Sequence, residues 1–175
     1  MTIPLHAATI APFLQILTSV ARLIDKAERY CRENTIDEAD LLGRRLHPDM
    51  LPLAYQLKST AVHSIGAVDG VREGRFSPDR SEPGSSFHIL ADRIADAQAR
   101  LSQVSESECE SFVGKAMRFE VPRHFAAFTG DQFLLHFSLP NFHFHATTAY
   151  AILRAEGLSI GKVDYLGPLS MQSID

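Results

Sequence analysis

Asn141 and His145 stand one helical turn apart in a stretch rich in apolar and aromatic residues. A spacing of four places both side chains on one helix face, where an amide and an imidazole can contact the same ligand or metal. His143 falls about 200° round the helix from His145, so these two histidines cannot share a face. Phe142, His145 and Ala149 do share one, so His145 is expected to point into the protein.

A second polar stripe lies earlier in the chain, where Asp49, Gln56, Thr60 and His63 follow one another at spacings of seven, four and three. Such spacing aligns side chains along one side of a helix. The stripe is either the solvated edge of an ordinary amphipathic helix or a polar wall that faces a cleft. Gln56 borders the apolar residues of the same helix and is the best candidate for the cleft, whereas His63 is expected to be exposed.

Apolar residues at spacings of three and four predict four amphipathic helices that carry these side chains. They cover residues 7–33, 47–70, 87–103 and 141–156. The second begins near Pro48 and Asp49, because proline and an acid both favour a first helical turn. Ser86 is a suitable N-cap for the third. Pro140 either kinks a helix that continues across it or separates two helices.

Four such helices, joined by two long connections, predict an all-α four-helix bundle in one domain over residues 1–175. The connection between the second and third helices, roughly 15 residues, is long enough to run back along the bundle. Those two helices would then be parallel, which gives an up-down-down-up order. Alternation at 117–121, with 125–128 as a partner, predicts a small β-hairpin or irregular insertion before the last helix.

Composition excludes several classes of protein. The 175 residues carry a formal charge of −4, so no basic field favours nucleic acid. No apolar run approaches the about 20 residues that span a bilayer, and the N-terminal residues do not resemble a secretory signal. Cys31 and Cys109 lack zinc-type spacing and predict no disulfide framework, which fits a cytoplasmic protein.

Two blocks of sequence carry a resemblance to a known family. The first holds Pro48-Asp49-Met50, Pro52-Leu53 and Gln56; the second holds Pro140-Asn141-Phe142, Phe144-His145, Thr147-Thr148-Ala149-Tyr150 and Ile152-Leu153-Arg154, followed by Gly161-Lys162, Asp164 and Leu166-Gly167. On these residues the chain resembles, over nearly its whole length, an uncharacterised bacterial family within the DinB/YfiT-like superfamily. The resemblance implies a four-helix bundle of up-down-down-up order, often dimeric. Many members hold a divalent metal with three histidines, one on the second helix and two on the fourth, and some use it to activate a low-molecular-weight thiol.

The chain departs from the superfamily at that metal site. Carried over residue by residue, the three ligand positions hold Gln56, Asn141 and His145. A carboxamide oxygen is a weak ligand for zinc or nickel, which favour imidazole and thiolate. His145 would then be the main ligand of any divalent metal, with Gln56 and Asn141 completing or orienting its shell. With Gln56 level with His145 on antiparallel helices, Arg154 is expected to reach Asp49.

Three functions follow as hypotheses. The first is a metal-free module that binds a small polar ligand in a pocket of Gln56, Asn141, His145 and Tyr150, with Phe142 and Phe144 as further aromatic walls. The second is a structural bundle, most simply a homodimer, in which the polar trio is a satisfied buried cluster. The alternative is a divalent-metal-dependent transferase or hydrolase, possibly thiol-linked through the superfamily resemblance.

Overall fold

Helices dominate the computed structural model, which describes residues 3–167 and adds one three-stranded sheet. In chain order the elements are α1 (Leu5–Asn34), α2 (Glu38–Leu42), α3 (Leu53–Val62), α4 (Ile65–Glu73), β1 (Arg75–Phe76), α5 (Phe87–Leu101), α6 (Glu106–Glu110), β2 (Ala116–Val121), β3 (His124–Thr129), α7 (Gly130–Gln132), a π-helical segment (Phe133–Ser138), α8 (Leu139–Ala155) and α9 (Lys162–Leu166). After α8 the described chain holds α9, and residues 168–175 lie outside the described part.

The first helix forms as the periodicity predicts. α1 buries Ile10, Phe13 and Leu17 and packs against α5 and α8, so its apolar stripe faces the core. It ends at Thr35, whose positive φ of 55° breaks the helical backbone. By length and composition, α1 is the one helix within residues 3–167 that could cross a membrane; half of its apolar window is buried, as in a core helix.

The second predicted helix is two helices, and its expected start is wrong. Residues 47–50 form a turn, and α3 begins only at Leu53, after Pro52. Proline disfavours helical backbone in the residue before it, and His47 and Leu51, which precede Pro48 and Pro52, both lie outside a helix here. The helix then breaks at Ser64, whose φ of −113° and ψ of −90° separate α3 from α4. α4 runs three residues past the predicted end at Gly70, and Gly74, with φ +76°, ends it.

The predicted hairpin is present, and a further strand extends it. β2 and β3 pair antiparallel, with Met117 opposite Phe128, and β1 adds a short parallel partner to β2. The order β1-β2-β3 brings Phe76 and Phe119 to the same side, with ring centroids 6.4 Å apart. The insertion therefore contributes aromatic side chains to the interior next to α3 and α8.

The last helix crosses Pro140 without a break. From Gly130 the backbone stays helical through α7, the π-helical segment and α8, and Pro140 stands just inside α8. A proline ring collides with the carbonyl four residues earlier, and a π-helical turn relieves this by moving hydrogen bonds to the fifth residue. Of the two outcomes expected at Pro140, the continuous helix is the one observed.

Candidate functional site

A hydrogen-bonded relay links α3 to α8 at the centre of the candidate site. Gln56, 2% exposed, donates from Nε2 to the carbonyl oxygen of Leu51 at 2.8 Å, and its Oε1 lies 2.7 Å from His145 Nδ1. A backbone carbonyl can only accept, so the group facing Leu51 must be the NH₂ of Gln56. Oε1 is therefore an acceptor, and His145 carries its proton on Nδ1. Its Nε2 carries no proton, so it keeps a lone pair and can accept a hydrogen bond.

His63 stacks against His145 and is largely buried, contrary to the expectation that it would be exposed. Its ring stacks on His145, with centroids 5.4 Å apart and planes 19° from parallel, and it lies between Phe76 and Phe137. Its Nδ1 is buried and has no hydrogen-bond partner within residues 3–167. The signal was present in the sequence: a spacing of seven residues brings His63 back to the face of Gln56.

Both imidazoles are neutral at physiological pH. Burial, which disfavours the charged ring, lowers the pKa of His145 to about 4. Burial also lowers the pKa of His63 to about 4, with a smaller contribution from repulsion by His145. The two rings can therefore lie against each other without two charges meeting, and His145 keeps an unprotonated Nε2.

A cavity of about 200 Å³ opens beside the two histidines. Its walls come from α3, β1, β2, the π-helical segment, α8 and the loop after β1. The lining residues are Tyr55, Ser59, Val62, His63, Phe76, Pro78, Asp79, Phe119, Phe137, Asn141 and His145. The interior is aromatic, and polar groups stand at a few positions, as in small-molecule sites. His145 lines this space, and its Nε2 makes no hydrogen bond within residues 3–167.

The predicted pocket residues divide into three groups. Asn141 and His145 line the cavity, as expected, and the Asn141 amide donates to the carbonyl of Phe137 at 2.6 Å. Gln56 stands behind His145 and orients it without lining the cavity. Tyr150 does not line the cavity either: its ring lies 6.1 Å from that of Tyr165 on α9.

The comparisons with known proteins agree with the resemblance drawn from the two sequence blocks. Residues 5–166 match the family described as Domain of unknown function (DUF1993). The chain belongs to this family. Its fold is similar to the crystal structure of a DinB family member protein from Shewanella denitrificans, with a TM-score of 0.81 and 27% identity over 97% of this chain and 96% of the other. No protein with a curated description matches the chain.

This DUF1993 chain does not offer the donor set that the superfamily resemblance implies for a metal. Gln56 Oε1 accepts the Nδ1 proton of His145, so Gln56 stands where it orients the ring and not beside Nε2, where it could share a metal with that nitrogen. The rings of His63 and His145 are nearly parallel, so no nearby point lies in both ring planes, where imidazole lone pairs project. Within residues 3–167, no three His, Cys, Asp or Glu side chains are close enough to share a metal ion. His145 and His63 each keep one unprotonated ring nitrogen, but their nearly parallel rings do not direct the two lone pairs at one point.

Two further expectations on α8 have opposite outcomes. His143 faces away from His145, as the spacing of two predicted, and its Nδ1 lies 3.1 Å from the hydroxyl of Tyr165. The expected contact between Arg154 and Asp49 is absent. Asp49 precedes α3 and pairs with His47, and Arg154 donates to the carbonyl of Leu158 at 3.2 Å. The late start of α3 explains this error, because Asp49 never joins the helix.

Lys58, the most unusual polar group near the cavity, was not predicted from the sequence. Lys58 on α3 is 0% exposed, and its ammonium bonds to the loop after β1: to the carbonyls of Asp79 and Ser81 and to the Asp79 carboxylate. Burial opposes ionisation of Asp79, but hydrogen bonds from Ser81 and Lys58 outweigh it and lower its pKa. No local pattern marks Lys58, because its partners lie more than twenty residues away.

Proposed function

We propose that this protein binds a small, uncharged molecule in the cavity between α3 and α8, and that the ligand donates a hydrogen bond to His145 Nε2. The observation that carries the proposal is the relay from Leu51 through Gln56 to His145. A buried amide that fixes one tautomer makes the imidazole a directed acceptor. No group within residues 3–167 donates a hydrogen bond to that acceptor, so a ligand in the cavity can do so.

The size and chemistry of the cavity define the ligand class. A cavity of about 150 Å³ lined by apolar side chains accepts benzene, so about 200 Å³ suits one six-membered ring with a substituent. Phe76, Phe119 and Phe137 supply aromatic walls. The carboxylate of Asp79 is already neutralised by Lys58, so no free charge favours an ion. A planar molecule with an O–H or N–H donor fits these features.

Phenol and toluene test the proposal, because they share a shape and differ in the hydroxyl. Phenol is expected to raise the melting temperature and to shift the His145 resonances in NMR spectra, and toluene is expected to bind more weakly. His145→Phe keeps a ring but removes the acceptor, so it should reduce phenol affinity about tenfold, the value of one hydrogen bond. His143→Ala, on the other side of α8, is the matched control. Equal binding of the two probes, or binding of neither, would overturn the proposal.

The competing function is the divalent-metal-dependent transferase or hydrolase, with zinc or nickel at His145. It is supported by the likeness to a DinB family member. The engagement of Gln56 Oε1 and the parallel rings of His63 and His145 weigh against it. The donor chemistry therefore favours the metal-free ligand site.

The proposal also includes an up-down-down-up order of the long helices, a homodimer and a cytoplasmic location. The long connection before α5 and the superfamily likeness support the helix order, the likeness supports the homodimer, and the two isolated cysteines support the location. An exposed apolar area around Phe144 and Leu46 on one side of α8 is available for a dimer contact.

A further inference from the structure

The segment 77–86 joins β1 to α5 and forms one wall of the cavity through Pro78 and Asp79. Most of its residues are exposed. Within the described chain, residues 77–85 make no backbone-to-backbone hydrogen bond, although both flanking elements are fixed. Phe76 is buried on one side, and Ser86 caps α5 on the other by accepting from the Ile89 amide at 3.3 Å. The segment is thus anchored at its ends and free of secondary structure between them.

Lys58 is what holds the middle of this segment against the body. Its ammonium donates to the Ser81 carbonyl at 2.6 Å and to the Asp79 carbonyl at 3.2 Å, and it lies 3.1 Å from the Asp79 carboxylate. The only other ion pair that the segment makes within residues 3–167 is Arg93 with Asp79, at 3.9 Å. A buried ammonium is stable only when its protons are paired, so closure of the segment and burial of Lys58 require each other.

We infer that residues 77–86 are a lid over the cavity and that Lys58 is its latch. The inference rests on the proposed function for its purpose, because the lid would control entry of the ligand to His145. In the closed state, Lys58 bonds to two carbonyls and one carboxylate of the lid. In the open state, water replaces those partners, Pro78 and Asp79 leave the wall, and the cavity is open to solvent. Lys58 acts through the lid and does not line the cavity itself.

A thiol placed in the cavity measures opening without any ligand. Ser59→Cys is a near-isosteric change at a buried residue that lines the cavity, and the native Cys31 and Cys109 are both buried. In this background, Lys58→Met is expected to raise the rate of reaction with a disulfide reagent about tenfold or more, the factor that one charge-assisted hydrogen bond represents. Lys162→Met, at an exposed lysine on α9, is the matched control and should leave the rate unchanged.

The native cysteines separate lid opening from unfolding. If Cys31 and Cys109 become reactive together with Cys at position 59, Lys58 stabilises the whole fold, and the latch is refuted. An unchanged rate at position 59 in a folded Lys58→Met protein also refutes it. Asp79→Ala, on the lid, is a second variant in case Lys58→Met does not fold. It removes one of the three partners of Lys58 and is expected to raise the rate by a smaller factor. An unchanged rate in Asp79→Ala would overturn the inference. Phenol is absent throughout, so failure of the lid and failure of the ligand site are distinguishable.

Discussion

Acid should destabilise this protein through its two stacked histidines. In the unfolded chain a histidine has a pKa near 6.5, whereas burial lowers the pKa of His63 and of His145 to about 4. Since the folded value is the lower one, protons bind the unfolded chain first. The stability due to the neutral rings is present above pH 6.5 and is lost as the pH falls toward 4. pH 5 lies about 1.5 units below the unfolded pKa and above the folded one, so the loss of stability at that pH is about 2 kcal/mol per ring.

Replacement of one ring by an apolar one isolates this effect. His63→Phe suits its aromatic surroundings and removes the buried Nδ1 that has no partner. Urea unfolding at pH 7 and pH 5 gives the free energy of unfolding at each pH. The loss between the two values is expected to be about 2 kcal/mol smaller in His63→Phe than in the natural protein, because all other titrating groups are common to both.

The control is His88→Gln, at a histidine whose side chain is 82% exposed. This ring is not part of the buried pair, so the loss between pH 7 and pH 5 should match that of the natural protein. If His63→Phe loses as much stability as the natural protein, His63 is not a buried neutral ring in solution. The packing against His145, on which the cavity depends, would then be wrong.

Two further outcomes follow from the relay and from the donor set. Gln56→Leu removes the acceptor for His145 Nδ1–H and leaves that donor unpaired, so it should lower the free energy of unfolding by about 1–3 kcal/mol. In this variant ¹⁵N NMR should show both tautomers of His145. A single unchanged tautomer would contradict the relay. Zinc or nickel is expected to leave the melting temperature unchanged, and elemental analysis of tag-free protein to find metal well below stoichiometry. A rise in melting temperature that His145→Ala abolishes would instead favour the metalloenzyme.

Local patterns predicted the parts of the fold that local forces decide. α1, the Ser86 cap of α5 and the β2–β3 hairpin follow from periodicity, capping and alternation. The pairing of β1 with β2 could not be predicted this way, because two residues carry too short a pattern and their partner lies more than forty residues along the chain. The start of α3 could have been predicted, since Pro52 restricts the residue before it.

The candidate site shows the same division. Helical spacing predicted that Asn141 and His145 share a face, and both line the cavity. The resemblance to the superfamily implied that Gln56 lies with His145, and the two side chains are in contact. Lys58 was not found, because a lysine within an apolar helix face indicates nothing until the chain around Asp79 and Ser81 folds over it. The aromatic walls were missed as well, since Phe76 and Phe119 reach the cavity only through the three-stranded sheet.

Glutamine at position 56 changes what the imidazole on α8 can do. A histidine at position 56 could itself ligate a metal through its lone pair. The Gln56 amide, which is held by the Leu51 carbonyl, instead accepts the Nδ1 proton of His145 and leaves Nε2 as the acceptor. The result is a neutral acceptor beside His63, whose buried Nδ1 is also unpartnered within residues 3–167. A ligand that binds the folded protein and not the unfolded chain stabilises the fold by mass action. A molecule that donates to His145 should therefore raise the free energy of unfolding as well as fill the cavity.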